Sequence, residues 1–478
     1  MKLKAPPLEI PIHEPFRNDL LGRKDSADGL SELLKSCEDS LVLCINGRWG
    51  DGKTTFLKMW RQHLINFSFR TLYFNAWEND FSDDALVSLI GEFDVMIETS
   101  GKRDATTAKA KSYLRKAKRF GAVLIKKGIP IGIRLATSGL INIDANVAEK
   151  IPDDIEKSLS EAAERLANEQ IENYQASKKT VAGFKEQLKE FAEHVTAPKQ
   201  GQERLPLVIF VDELDRCRPS YAVQVLEKIK HLFNVPNIVF VLAMDKEQLG
   251  YSVRAMYGQG MDSDGYLRRF IDLDYNLPIP QGVRFFRAQF DRFGLREFFA
   301  KRTGSNASDY KDISELLTQL FGGFRFTLRE QEHSFALLSL AIRTTPVDHF
   351  LYPLLLGTLI VIKIRDPQLY QDFVTGKRSY RDVVAYLSST VEGKKLMDAS
   401  VGCRLEAYLA VCRSGWEELE QALQYYGDTT RSNPSQDPLQ IERSNKIVNA
   451  LRYLQDSVRT GPLDYLVRKI DMVSRFER

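Results

Sequence analysis

An excess of charge of either sign is almost missing from this chain: 67 basic residues stand against 64 acidic ones, a net charge of +3 in 478 residues. Global charge therefore argues neither for nor against a nucleic-acid partner, and any such case has to be local. The sequence is also poor in metal and redox chemistry. Its five cysteines, Cys37, Cys44, Cys217, Cys403 and Cys412, form no CxxC pair, and its six histidines form no HExxH or Cys/His cluster. No zinc and no second active site are expected. Cys44 lies in an apolar run and reads as a small buried thiol, which points to a reducing, cytoplasmic compartment. Long hydrophobic runs are lacking too. The opening "MKLKAPPLEIPIHEPF" has no stretch resembling a signal peptide, and the longest uncharged apolar run, Phe350 to Ile362, has 13 residues. That is too short to cross a bilayer and reads as a buried helix.

What the chain does contain is a series of short, nearly continuous apolar runs. "LVLCIN" (Leu41 to Asn46), "RTLYFNAW", "LPLVIFVD" (Leu205 to Asp212) and "NIVFVLAMD" (Asn237 to Asp245) read as strands buried on both faces of a parallel sheet. The first ends in a glycine loop, after which "KTTFLKMWRQHLINF" carries apolar residues at helical spacing. Between the third and fourth, Pro219 opens a helix with Val225, Ile229, Leu232 and Phe233 on one face, completing a βαβ unit. About 120 residues separate the second and third strands, far more than a connection needs, so they form an insertion with its own structure. Within it, Lys102 to Lys127 holds ten basic residues and one acid, Asp104. An apolar stretch around Arg134 follows, and Val147 to Val195 is charged and helical in pattern. After Pro280 the pattern is helical to the end, with Asp428 to Gln440 a polar loop or hinge. Trp77 reads as a packing residue between the sheet edge and the insertion.

Gly47, Gly52, Lys53 and Thr54 fit GxxxxGK[ST] between a strand and a helix. Small residues let successive backbone N–H groups face the phosphates, Lys53 reaches the outer phosphates, and Thr54 offers its hydroxyl to Mg²⁺. The candidate nucleotide-binding residues are Gly47, Trp49, Gly50, Asp51, Gly52, Lys53, Thr54 and Thr55. Asp212, delivered to the end of a buried strand, is the second expected Mg²⁺ ligand, acting through water. Glu213 beside it is placed to take a proton from the attacking water; the alternative is a structural partner of Arg216. Asp245 ends the fourth strand and either senses the γ-phosphate or caps the next helix. Arg268 and Arg269 precede an alternating segment and are either arginine fingers for a neighbouring subunit or helix-end residues on a solvated face.

Together, "GRWGDGKTTFL", "YFNAWEND", the long insertion and "VIFVDELDRCRP" followed by "VFVLAMDKEQL" resemble the KAP family of P-loop NTPases, over roughly residues 15 to 365. The resemblance implies ATP hydrolysis, an α/β fold with a parallel sheet of strand order 5-1-4-3-2, and a helical lid in which Arg329 is either a second sensor or a partner in a core–lid salt bridge. It also places Leu20, Leu21 and Gly22 beside the adenine. Members commonly carry two transmembrane helices in the insertion; Lys126, Lys127 and Arg134 speak against that here. The organisation implied is a lead-in with the first part of the core (1–84), a mainly helical insertion (85–200) containing the basic segment 102–127, the second part of the core (201–280), a lid (281–365) and a C-terminal helical region (366–478).

Two functional classes follow. One is an oligomeric ATPase that drives or gates a protein partner or effector, with a role in anti-phage defence implied only by the resemblance. The other is a nucleic-acid-binding module with a regulatory nucleotide switch, motivated by the basic run, which could lie along DNA phosphates. The same cations could also contact an acidic membrane surface.

Overall fold

Strand β1 (Leu41–Asn46) shows why the sheet forms where it does. Val42 and Cys44 enter one core, Leu43 and Ile45 another on the opposite face, so a continuous apolar run is buried twice over. The same alternation recurs in β3 (Leu207–Asp212) and β4 (Ile238–Met244), both buried at every position. With β2 (Arg70–Asn75) and the short β5 (Leu273–Asn276) these make a five-stranded sheet in the order β2-β3-β4-β1-β5, every pairing parallel. This is the strand order 5-1-4-3-2 that the family resemblance implied.

The structure, a computed structural model, describes residues 9–37, 39–82, 84–99, 105–126, 175–198, 201, 203–278, 283–301, 307–346, 350–413, 416–431, 438–455 and 461–471. The chain divides into two compact units that meet in sequence between Pro278 and Ile279. The first holds the sheet. Helices α1 (Lys24–Lys35) and α2 (Lys53–Asn66) cover one face, centred on Trp60. That indole is fully buried, donates to Ser31 Oγ at 2.9 Å, and meets the Phe210 ring edge-on at 5.4 Å.

The other face is covered by α6 (Pro219–Leu232) together with the insertion, whose described parts are α3 (Ala85–Thr99), α4 (Ala105–Lys126) and a helix, α5, over residues 175–195. Phe233 joins these layers, stacking with Phe93 at 6.1 Å and meeting Phe184 and Phe240 edge-on. Gly183 on α5 is required by this packing, since a Cβ there would lie 2.7 Å from the Phe120 ring of α4. The apolar stretch around Arg134 and the part of Val147–Val195 before residue 175 lie outside the described residues. Helices α7 (Lys246–Tyr257) and α8 (Ser263–Leu267) lead into β5.

Every regular element among the described residues of the second unit is a helix, from Val283–Arg292 to Leu463–Asp471, around a core of its own. The apolar run at Phe350 to Ile362 contributes a buried helix, Pro353–Arg365, as its length suggested. No helix among the described residues is long and apolar enough to cross a membrane. The polar stretch Asp428–Gln440 is less of a loop than its composition indicated. One helix runs on to Arg431 and the next starts at Pro438, where proline fits the first turn.

Trp60→Ala removes the centre of the α1–α2 layer and should cost about 3–5 kcal/mol. Phe81→Ala, at a side chain 85% exposed, should stay within about 0.5 kcal/mol of wild type. Guanidinium unfolding of the sheet unit checks both.

Candidate active site

The loop between β1 and α2 is shaped by its own hydrogen bonds. Asp51 Oδ2 accepts from the Arg48 amide at 3.0 Å, the Asp51 amide donates to the Arg48 carbonyl at 3.2 Å, and the Gly47 amide donates to the Met244 carbonyl at 3.2 Å. Gly50 and Gly52 have φ of 89° and 80°, in the left-handed region where a side chain is strained. Gly52 is the N-cap of α2 and brings no side-chain cap, so the amides of the first turn, at Lys53, Thr54 and Thr55, have no acceptor within the helix. The Lys53 ammonium, buried at the centre of the loop, donates to the carbonyls of Gly47 at 2.7 Å and Arg48 at 3.3 Å. Thr54 is half-buried and Thr55 exposed.

At the same edge of the sheet, β3 ends in Asp212, which is 1% exposed. Its Oδ2 accepts from the Tyr73 hydroxyl at 2.7 Å and its Oδ1 from the Glu213 amide at 2.9 Å. Burial, and after it this carboxylate, raise the Tyr73 phenol above its usual range. Glu213 then turns into the left-handed region at φ 59°, rare for a non-glycine residue. Its Oε1 pairs with Arg216 at 2.8 Å, and its Oε2 accepts from Asn75 Nδ2 at 3.4 Å.

That turn has a second consequence, which pattern reading missed. It starts a short 3₁₀ turn, Leu214–Arg216, and aims Asp215 back at the glycine loop. The buried Asp215 Oδ2 accepts from the Trp49 indole at 2.8 Å and the Asp245 amide at 2.7 Å, and lies 3.6 Å from Lys53 Nζ. Its place in "DELDR" was the available signal. Arg23 was missed as well. It is buried, donates to the carbonyls of Gly52 at 3.4 Å and Pro278 at 3.1 Å, and burial pushes its guanidinium down to about 10 despite the neighbouring Asp51 and Asp19. No motif contains it; only its place just after Gly22 hinted at contact with the loop.

The remaining candidates are more dispersed. Asp245 caps α7, accepting from the Glu247 and Gln248 amides, and its Oδ2 accepts from the Trp49 amide at 3.2 Å. Arg268 and Arg269 are exposed just before β5. They lie at the start of the strand, whereas the glycine loop leaves the opposite end of the neighbouring β1. Leu21 is half-buried in the lead-in, its amide held by Asp19. Arg329 belongs to the second unit, exposed in the first turn of the helix Leu328–Arg343. Trp77 departs from expectation: it is 53% exposed, lies under the Arg216 guanidinium, 5.6 Å from ring centroid to Cζ, and is not part of the core that holds the described insertion helices.

These residues fit a polyphosphate with a divalent cation. Free first-turn amides, the helix dipole and the Lys53 ammonium favour a multiply charged anion. Asp212 already accepts one protein hydrogen bond on each oxygen and keeps lone pairs for metal-bound water. Among the described residues no cluster of three His, Cys, Asp or Glu could hold an ion alone.

Comparison with family models agrees with the glycine loop. A model described as the KAP family P-loop domain matches residues 23–313. The Phage T7 exclusion protein of Escherichia coli (strain K12) is 25% identical over 175 residues, 35% of this chain and 22% of that protein. The chain thus matches less than a quarter of that relative's length. Two structures of the Aeropyrum pernix ORC2 protein align loosely. Its ADPNP-ADP complexes give a TM-score of 0.30 at 14% identity, covering 95% of this chain and 94% of that one; its ADP form gives 0.29 at 12%, covering 100% and 97%.

Asp215→Ala orphans the buried Asp245 amide and the partly exposed Trp49 indole beside a buried ammonium and should lower stability by about 2–4 kcal/mol. Asp215→Asn keeps an acceptor and should cost less than half of that. Denaturant unfolding with and without nucleotide measures both, and the Ala variant should gain the smaller increment from nucleotide.

Proposed function

The chain belongs to the KAP family of P-loop NTPases, and we propose that it is an ATPase that couples hydrolysis to a protein partner. The observation that carries this reading is the pair at the end of β3, where a buried aspartate is followed directly by a glutamate in a left-handed turn. Holding a nucleotide needs the first; a glutamate beside it supplies a base for water.

In this reading Gly47, Trp49, Gly50, Asp51, Gly52, Lys53, Thr54 and Thr55 cradle the phosphates, while Leu21 lies toward the base. Thr54 and, through water, Asp212 would hold Mg²⁺. The cation supplies neutralisation of charge building on the phosphate oxygens. Lys53 orients the outer phosphates. Glu213 takes one proton from water as the water oxygen bonds to the γ-phosphorus, and the bond to the bridging oxygen breaks with its electron pair leaving on ADP. Asp245 holds the Trp49 amide and with it the loop. Arg268 and Arg269, exposed at the far end of the sheet, would serve a neighbouring copy in a homo-oligomer, and Arg329 is proposed as a second sensor. The name of the Escherichia coli relative supports phage defence as the setting, with an effector or partner as the target of coupling.

Isothermal titration and steady-state phosphate release test the assignment. Lys53→Ala should abolish ATP binding, whereas Glu213→Gln should bind ATP and lose turnover by at least about 100-fold. Wild-type turnover in Glu213→Gln removes the base assignment.

A second reading is favoured by α4. Lys109, Lys111, Arg115, Lys116 and Arg119 are exposed on this helix, which contains no acid. Among the described residues of this stretch only Lys118 makes an ion pair, with Asp94. Lys111, Arg115 and Arg119 follow one another at four-residue spacing, an arrangement that costs about 0.2–0.5 kcal/mol per like-charged pair and that a polyanion would relieve. We infer a surface for duplex DNA. Binding should weaken about 1000-fold between 50 and 200 mM salt, and neutralising Lys109, Lys111, Arg115, Lys116, Lys118 and Arg119 should abolish it. Salt-independent binding, or binding to anionic vesicles alone, contradicts the DNA reading.

A further inference from the structure

We propose that Arg216 and Trp77 form a latch that holds Glu213 away from water, so that basal ATP turnover is limited by opening of this latch. The inference rests on Glu213 being the base.

Both oxygens of Glu213 are occupied within the protein, Oε1 by Arg216 at 2.8 Å and Oε2 by Asn75 at 3.4 Å. A general base has to offer an oxygen to the water it deprotonates. A guanidinium on that oxygen blocks it. The pair therefore restrains the glutamate more than it prepares it. Arg216 is held in turn by the face of Trp77, 5.6 Å from the ring centroid.

The segment carrying Trp77 is built to keep the ring there. Asn75 Oδ1 accepts from the Trp77 amide at 3.1 Å and the Glu78 amide at 3.2 Å, so the residue that touches Glu213 also sets the turn under the indole. The Ala76 amide donates to the Asp212 carbonyl at 2.9 Å. Further on, the Asp80 carboxylate accepts from the Arg218 amide at 2.7 Å and Nε at 2.9 Å, fixing the segment to the start of α6. Trp77 is thus anchored on both sides by hydrogen bonds of its segment while its ring stays 53% exposed. Such exposure is unfavourable for a large indole, and holding Arg216 accounts for it.

Turnover separates a latch from an aligning contact, because the two have opposite signs. Partly exposed ion pairs and cation–π contacts are both weak, so Arg216→Ala and Trp77→Ala should each raise kcat about 3- to 10-fold. KM for ATP should be unchanged, since neither residue belongs to the phosphate cradle. The double variant should be no faster than Arg216→Ala, because one latch is being opened, and Trp77→Phe, which restores a ring, should return toward the wild-type rate. Purified full-length protein assayed for phosphate release with Mg²⁺ and ATP gives these values, with nucleotide binding confirming the fold of each variant. An unchanged or lowered kcat in Arg216→Ala and Trp77→Ala overturns the latch. Failure of the underlying reading looks different: Glu213→Gln would then turn over like wild type.

Discussion

The site is organised by one buried carboxylate. Asp215 binds the indole of Trp49, the amide that begins α7 at Asp245, and the field of the Lys53 ammonium, all with the same oxygen. Three segments distant in sequence are thereby brought into one register: the glycine loop after β1, the turn after β3 and the cap after β4. An acceptor buried to this extent is stabilising only while its donors remain in place, which makes the geometry nearly all-or-none. The loop's left-handed glycines and the uncapped start of α2 are useful to a phosphate because this oxygen fixes where they stand.

The turn that makes this possible is strained at Glu213, at φ 59°. One backbone feature thus does two things. It swings Asp215 inward to the loop and leaves the Glu213 side chain between Arg216 and Asn75. Strain of this kind persists only where surrounding contacts over-determine it, and here the fully buried β3 and the Asp215 contacts supply them. The covering layers follow the same economy. The insertion packs through Phe93, Phe184 and Phe191 against α6 and the sheet, leaving the cations of α4 outside.

Much of this was legible in the residues. β1, β3 and β4 announce themselves because a strand buried on both faces needs an unbroken apolar run, and the glycine loop because phosphate contact dictates both residue type and spacing. Asp212 and Glu213 were readable as the end of such a run. Asp215 was not, because its role depends on a backbone sign change two residues earlier, at Glu213, that composition does not encode. Arg23 was hidden for a related reason: a buried arginine contacting carbonyls 29 and 255 residues away leaves no local pattern. Trp77 misled because a tryptophan after a strand usually packs, whereas this one stacks against a charge at the surface. Asp245 was open between two roles, and the cap is a visible part of its work.

The central claim is that this loop and the carboxylates at the end of β3 form a hydrolytic site. Following γ-labelled ATP through repeated turnovers tests it most directly, with purified full-length protein and Mg²⁺, and EDTA as the control. The account predicts inorganic phosphate in excess of enzyme, eliminated by EDTA. Stoichiometric ATP binding with the γ-phosphate still attached after prolonged incubation would contradict it.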